Sequence, residues 1–154
     1  MKSLRLLAAA LLFATPALAA HSPPDPGAHI MKDYVLTMPK LKAYEAAYEA
    51  LVTAAKADPS LKADVDAASS ENDPTIATTI AKMDHHPRVY AFFQKQGLSK
   101  PEAALIPLIV MDACMAVQYP QMLQTMGDMV SASQAGFCKA NAAQIKTLRV
   151  FKGG

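Results

Sequence analysis

The stretch that decides the fold is Ala103–Val117, AALIPLIVMDACMAV, in which every residue except Asp112 is apolar or proline. Ser99 and Glu102 precede it with the spacing of a capping box, which marks a helix start. A helix that is apolar on all sides is buried on all sides, so we expect this segment to be the central element of the domain. It is shorter than the about 20 residues that a membrane span needs. Pro107 predicts a kink or a local break in its hydrogen bonding.

Capping and turn signals divide the rest of the chain into short helices. The first long one is predicted from an N-cap at Thr37 to Asp58-Pro59, because one face carries apolar residues at three- and four-residue steps. That face consists of Leu41, Tyr44, Tyr48, Leu51, Val52 and Ala55. Further helices are predicted for 59–67, from an Asp73 cap to His86, from Pro87 to Gly97, from Pro120 onward, and for 134–148. The sequence therefore predicts an all-α fold, an irregular bundle of six or seven short helices around a buried central apolar helix.

The N-terminus has the order of a secretory signal peptide. Lys2 and Arg5 form a basic head, Leu6 to Phe13 an apolar core, and Ala17-Leu18-Ala19 an A-x-A cleavage site. We expect residues 1–19 to be removed, a mature start at Ala20, and a periplasmic or secreted protein. No cysteine lies near the cleavage site, which disfavours a lipid-anchored lipoprotein.

The remaining boundaries follow from composition. Residues 20–36 contain Pro23, Pro24, Pro26 and Gly27, which predicts a flexible or extended N-terminal arm. A single helical domain is expected over 37–150, followed by a frayed tail over 151–154.

The mature chain is electrically balanced. The signal peptide takes two of the 15 basic residues, so 13 basic residues face 13 acidic ones. A neutral surface gives no electrostatic reason to expect nucleic acid or an anionic membrane as a partner, and no stable membrane span is expected after signal cleavage.

Cys114 and Cys138 are the two cysteines of the chain. In an oxidising compartment two cysteines in one small domain most often pair, so we expect a structural disulfide between the central and the last helix. Two free buried thiols are the alternative. The spacing excludes Cys-x-x-Cys redox chemistry, covalent haem attachment and a cysteine-rich zinc site.

A methionine-rich stretch is the sharpest candidate for chemistry. Met111, Met115, Met122, Met126 and Met129 would lie on one side of an uninterrupted helix. Thioether sulfur is a soft ligand for Cu(I), so an exported copper-handling protein is one hypothesis. The alternative is core packing, because methionine fills irregular gaps and Pro120 interrupts the alignment.

The adjacent histidines His85 and His86 are candidates for metal ligation or acid–base chemistry. Neighbouring side chains point in different directions, so both are not expected on one ion. The structural alternative places His85 at a helix C-terminus and His86 in the extended position before Pro87. A separate copper site at the N-terminus would require cleavage after Ala20, which would leave His21 first.

Asp112 breaks the apolar pattern of the central helix. A buried carboxylate needs a donor, and the candidates are Tyr119, Arg88, Lys82, His85 and His86. Asp112 would then be a structural acceptor, a general base or a metal ligand. The alternative is that it reaches solvent where the helix surfaces.

The chain contains no nucleophile elbow, no phosphate-binding glycine loop, no His-Glu-x-x-His zinc helix and no paired-carboxylate signature. We therefore expect a non-enzymatic binding or envelope accessory module without a cofactor, whose partner is a small ligand or another envelope protein. Copper handling through Met122, Met126, Met129, His85 and His86 is the alternative function.

The layout resembles small exported bacterial proteins of uncharacterised function. The similarity lies in Leu36-Thr37-Met38-Pro39, the His86-Pro87 junction, the Gly97-Leu98-Ser99 turn and Asn141 in the last helix. The resemblance implies an exported helical domain, with no activity assigned and no site to carry over.

Overall fold

The computed structural model describes residue 25 and residues 27–70, 75–121 and 129–151. These residues form seven α-helices and one short 3₁₀ turn, without a strand among them, so the predicted all-α fold is confirmed. The helices are α1 Ala28–Asp33, α2 Met38–Ala57, α3 Pro59–Ser70, α4 Ile76–His85, α5 Pro87–Lys95, α6 Lys100–Gln118 and α7 Ala132–Ile145, and the 3₁₀ turn is Arg149–Phe151. The predicted signal peptide, the Asp73 cap, Met122, Met126 and residues 152–154 lie outside the described residues.

Most helix ends lie where short-range sequence signals predict them. Thr37 caps α2 by accepting a hydrogen bond from the N–H of Lys40 at 3.5 Å. Ser99 and Glu102 form the predicted capping box of α6, with the N–H of Ser99 donating to Glu102 Oε2 at 2.8 Å. Gly97 ends the preceding segment with φ +74°, a left-handed conformation that glycine adopts without strain.

The cap of α4 differs from the predicted one. Thr75, not Asp73, is the N-cap, and it forms a reciprocal capping box with Thr78. A second acceptor comes from far along the chain, because the Ile76 N–H donates to Asp25 Oδ2 at 2.7 Å. Asp25 also accepts from the N–H of Gly27 at 2.8 Å. This contact fixes the N-terminal segment to the start of α4.

The expectation of a flexible arm up to residue 36 is wrong for its described C-terminal half. Residues 28–33 form α1, Met31 is fully buried, and Leu36 is buried beside the core. Gln134, which is 1% exposed, donates from Nε2 to the carbonyls of Met31 at 2.6 Å and Tyr34 at 2.9 Å. The segment is ordered because its apolar side chains are buried and because long-range hydrogen bonds hold its backbone, although its proline content predicted an extended chain.

The central helix α6 packs most extensively on α7 and α4. Its buried residues are Ala103, Leu105, Ile106, Ile109, Val110, Asp112, Ala113 and Ala116. The expectation of burial on all sides is wrong, because Met111 is 52% exposed. Neighbouring helices cover only part of the α6 circumference. The helix continues through Pro107, which removes one backbone donor without ending it.

α6 is also longer than the segment predicted from its apolar core. By length and composition it is, within the described residues, one helix that could cross a membrane. A position in the core of the domain also explains the apolar composition of α6, because Ile106 and Ile109 are at most 1% exposed and belong to the core cluster. A core helix and a membrane helix have similar compositions, and burial distinguishes them.

A disulfide joins Cys114 of α6 to Cys138 of α7, with 5.4 Å between the two Cα atoms. The prediction that these residues lie within bridging reach is confirmed, and the distance is normal for a disulfide. α7 begins at Ala132 after an N-cap at Ser131, slightly earlier than predicted. The crosslink therefore connects the central helix to the helix whose Gln134 holds the N-terminal segment.

Candidate functional site

Helices α2 to α6 line an open cleft with a volume of about 230 Å³. Each of the five helices contributes part of the wall. Tyr44, Tyr48 and Leu51 come from α2, Val65 and Ser69 from α3, Thr79, Lys82 and Met83 from α4, Val89 and Phe93 from α5, and Ala103 and Ala104 from α6. Three residues of the predicted apolar face of α2, spaced three or four apart, thus line the cleft. Clefts between bundle helices that combine an apolar wall with a few polar groups are typical small-molecule sites.

Aromatic rings form one side of the cleft. The ring centroids of Tyr44 and Phe93 lie 5.0 Å apart at an interplanar angle of 44°. Phe151 lies 6.4 Å from the Tyr44 ring and stacks on it at 24°. These separations fall within the preferred range of aromatic pairs, so Tyr44 is held by contacts along its ring.

Two tyrosine hydroxyls of the cleft form no hydrogen bond within the described residues, and Tyr44 is far more buried than Tyr48. Tyr44 is 7% exposed, and within the described residues its hydroxyl forms no hydrogen bond. The hydroxyl oxygen is nonetheless not sealed from solvent, since the described residues contain no fully buried side-chain polar atom without a partner. Burial and, secondarily, the neighbouring Tyr48 raise the pKa of Tyr44 well above its usual value. Tyr44 therefore remains a protonated donor across the physiological pH range.

Two other hydroxyls of the wall are occupied as donors. Ser69 Oγ donates to the Val65 carbonyl at 2.8 Å, and Thr79 Oγ1 donates to the Thr75 carbonyl at 2.9 Å. Their oxygen lone pairs can still accept hydrogen bonds. Lys82, the charged residue of this wall, already has an interaction partner.

A second depression shares Tyr48 with the first. It has a volume of about 230 Å³ and is lined by Tyr48, Glu49, Val52, Thr53, Lys56 and Arg149. Its charged groups include the exposed ion pair of Arg149 and Glu49 at 3.3 Å. Three of its six lining residues are charged, whereas the five-helix cleft has a mostly apolar wall with a few polar groups and is the stronger candidate for a small-molecule site.

The structure separates the two predicted histidine candidates. His85 is exposed, whereas His86 is 7% exposed and links the end of α4 to the start of α5. His86 Nδ1 lies 2.6 Å from Asp64 Oδ1 of α3. A carboxylate on one ring nitrogen fixes the orientation of the imidazole. Within the described residues, no group of three His, Cys, Asp or Glu side chains could hold a metal ion.

The structure describes three of the five methionine candidates, and these three differ in exposure. Met129 is half-buried and packs against the core, which is the structural role considered for it. Met115 is half-buried and Met111 is exposed on α6. Met122 and Met126 lie outside the described residues.

Asp112 is buried, with 7% of its surface exposed. The expectation of a side-chain donor is not met within the described residues, where Asp112 forms no hydrogen bond or ion pair. Arg88 instead pairs with Asp58 at 2.7 Å, and Tyr119 is 50% exposed. Desolvation raises the pKa of Asp112 above its usual value. The carboxylate keeps a small contact with solvent, because the described residues contain no fully buried side-chain polar atom without a partner.

Sequence reasoning missed the cleft, Asp64 and Gln134. The cleft requires five helices from residues 44 to 104 to meet, and only the apolar face of α2 gave a local signal for it. Asp64 lies on a helix without a distinctive motif, and Gln134 could have been recognised only as the N3 residue of a capping box with Ser131.

No family model, curated protein or solved structure matches the chain.

Proposed function

We propose that this protein is an exported, non-enzymatic binding module of the cell envelope, and that the cleft lined by the five helices α2 to α6 holds a small ligand. The observation that carries this proposal is the cleft itself, in which an apolar and aromatic wall contains an accessible donor on Tyr44. A few well-placed polar groups in an apolar cleft orient a ligand, while the apolar surface supplies most of the affinity.

The location outside the cytoplasm is supported by two independent features. The first is the signal-peptide pattern of residues 1–19, and the second is the disulfide between Cys114 and Cys138. Structural disulfides persist in oxidising compartments and are rare in the cytosol. Mass spectrometry of the periplasmic or secreted protein is expected to show a start at Ala20. An intact N-terminus in the membrane fraction would contradict export with cleavage.

Blocking the cleft tests the binding function. Ala104 lines the cleft and is half-buried, so Ala104→Phe would place a ring in the space that a ligand needs. Ala143→Phe adds the same ring on an exposed position of α7 and is the matched control. The probes are quinoline, naphthalene, 1-decalone and octan-1-ol, titrated into the mature protein with protein-observed NMR.

At least one probe is expected to shift the resonances of Met83 and Phe93 in a saturable manner. Ala104→Phe is expected to abolish this binding, and Ala143→Phe to preserve it. Absence of saturable shifts for all four probes at millimolar concentration would refute the binding function of the cleft. Equal binding to both variants would place the site elsewhere and refute it as well.

Copper handling remains the alternative proposal. Two features support this alternative: Met111 is exposed on α6, and Met122 and Met126 follow it in the sequence. Titration of the mature protein with Cu(I) tests it directly. Micromolar or tighter affinity that is lost in Met122→Leu and Met126→Leu would favour copper over the small ligand, whereas weaker binding would exclude this function.

A further inference from the structure

We infer that the cleft selects small, uncharged, planar aromatic compounds that carry a hydrogen-bond acceptor. This inference rests on the proposed binding function and specifies the class of ligand. Four properties of the cleft lead to it, namely its volume, its aromatic wall, the donor on Tyr44 and the charge of its lining.

Volume sets the size of the ligand. A dry protein cavity of about 150 Å³ accommodates benzene. The cleft has about 230 Å³, about one and a half times as much. Two fused six-membered rings match this volume, whereas a long acyl chain would leave atoms outside the cleft.

The wall favours a planar aromatic ligand over a saturated one. Tyr44, Phe93 and Tyr48 present rings, and Met83 adds a polarisable thioether. The 5.0 Å separation and 44° tilt of Tyr44 and Phe93 leave ring faces and edges that are not parallel. A flat aromatic ligand can place its own face or edge against them with centroids about 4.5–7 Å apart. A saturated bicycle of the same size is thicker and lacks the quadrupole that these contacts use.

The Tyr44 hydroxyl adds the requirement for an acceptor. It is a donor without a hydrogen-bond partner among the described residues, at a position that is 7% exposed. A ligand that excludes solvent from this hydroxyl without accepting a hydrogen bond from it leaves a buried donor unpaired. A ring nitrogen or carbonyl oxygen that accepts from Tyr44 avoids that cost.

The charge of the lining excludes ions. Lys82 is the charged residue of the described wall, and it already has an interaction partner. A charged ligand would lose hydration in a mostly apolar cleft without gaining an unpaired countercharge. An uncharged ligand does not incur this cost.

Three bicyclic probes separate these properties. Quinoline is aromatic and has an acceptor, naphthalene is aromatic without one, and 1-decalone has an acceptor but no aromatic ring. Tyr44→Phe removes only the hydroxyl, and Tyr119→Phe is the matched control at a 50% exposed position outside the cleft. Dissociation constants are measured by protein-observed NMR at neutral pH, and circular dichroism verifies that each variant is folded.

Quinoline is expected to bind about three- to tenfold more tightly than naphthalene, the range that one hydrogen bond provides, and more tightly than 1-decalone. Tyr44→Phe is expected to reduce quinoline affinity to that of naphthalene and to leave naphthalene affinity unchanged, while Tyr119→Phe changes neither. If 1-decalone binds as tightly as quinoline, the binding function stands and the aromatic selectivity is wrong. If Tyr44→Phe leaves the preference for quinoline intact, Tyr44 is not the donor. If none of the three binds while octan-1-ol does, the class of ligand is wrong and the binding function survives.

Discussion

Replacing Gln134 by Leu tests whether one buried amide orders the N-terminal segment. Gln134 is 1% exposed, its Nε2 donates to the carbonyls of Met31 and Tyr34, and its Oε1 accepts from the Ser131 N–H at 2.8 Å. Leucine has a similar shape, so the substitution removes the hydrogen bonds without opening a large cavity. The Met31 carbonyl retains a hydrogen bond from the Tyr34 N–H at 3.3 Å. The Tyr34 carbonyl and the Ser131 N–H lose the partner that Gln134 provides.

Leaving these two backbone groups unpaired costs about 1–3 kcal/mol each, so we expect the free energy of unfolding to fall by about 3 kcal/mol. In a domain of this size the melting temperature would fall by about 10 °C. Gln134→Glu is expected to destabilise more at neutral pH, because a carboxylate would face two carbonyl oxygens, and to recover partly in acid when the carboxyl can donate.

Urea unfolding of the mature protein, followed by far-ultraviolet circular dichroism, measures the change. Gln144→Leu on an exposed position of the same helix is the matched control and is expected to change stability by less than 0.5 kcal/mol. Hydrogen exchange is expected to accelerate selectively in residues 28–36. A loss below 1 kcal/mol, or acceleration spread evenly over the domain, would refute the proposed role of Gln134.

Four further outcomes follow from the described contacts. Asp112→Asn is expected to raise the free energy of unfolding at pH 7 and to leave it nearly unchanged at pH 3. The reason is that a carboxyl with a raised folded pKa costs stability as pH rises through that pKa. The same pH dependence of unfolding free energy in Asp112→Asn and the unsubstituted protein would contradict this. Burial alone would raise the pKa of Glu102, but hydrogen bonds from Ser99 and Lys40 lower it. The ionised Glu102 therefore stabilises the fold above its unfolded pKa, and this stabilisation is lost as pH falls through the folded pKa. Glu102→Gln should make the free energy of unfolding fall less steeply as the solution is acidified. Replacing both Cys114 and Cys138 by Ser is expected to cost up to about 3.5 kcal/mol, from the 24-residue separation, and unchanged urea stability would contradict it. Asp25→Ala is expected to cost about 1 kcal/mol and to accelerate exchange at the first turn of α4, which a normal exchange rate there would disprove.

The sequence alone predicted those features that depend on residues a few positions apart. The start of α2 at Thr37, the capping box of Ser99 and Glu102, and the left-handed Gly97 are all observed. Capping and turn energies arise within about four residues, so they can be recognised without a tertiary structure. The pairing of Cys114 with Cys138 was also predicted, because two cysteines in one small domain most often pair in an oxidising compartment.

Only the tertiary structure decided the features that depend on distant residues. Met31 and Leu36 are ordered because they are buried and because Gln134, about 100 residues away, holds the backbone around them. The exposed Met111 shows that an apolar helix is buried only where neighbouring helices cover it. The signal-peptide pattern can be read from the first 19 residues, whereas the cleft exists because five helices meet around Tyr44. Burial and long-range hydrogen bonding are properties of the packed chain, and no local pattern encodes which partners they bring together.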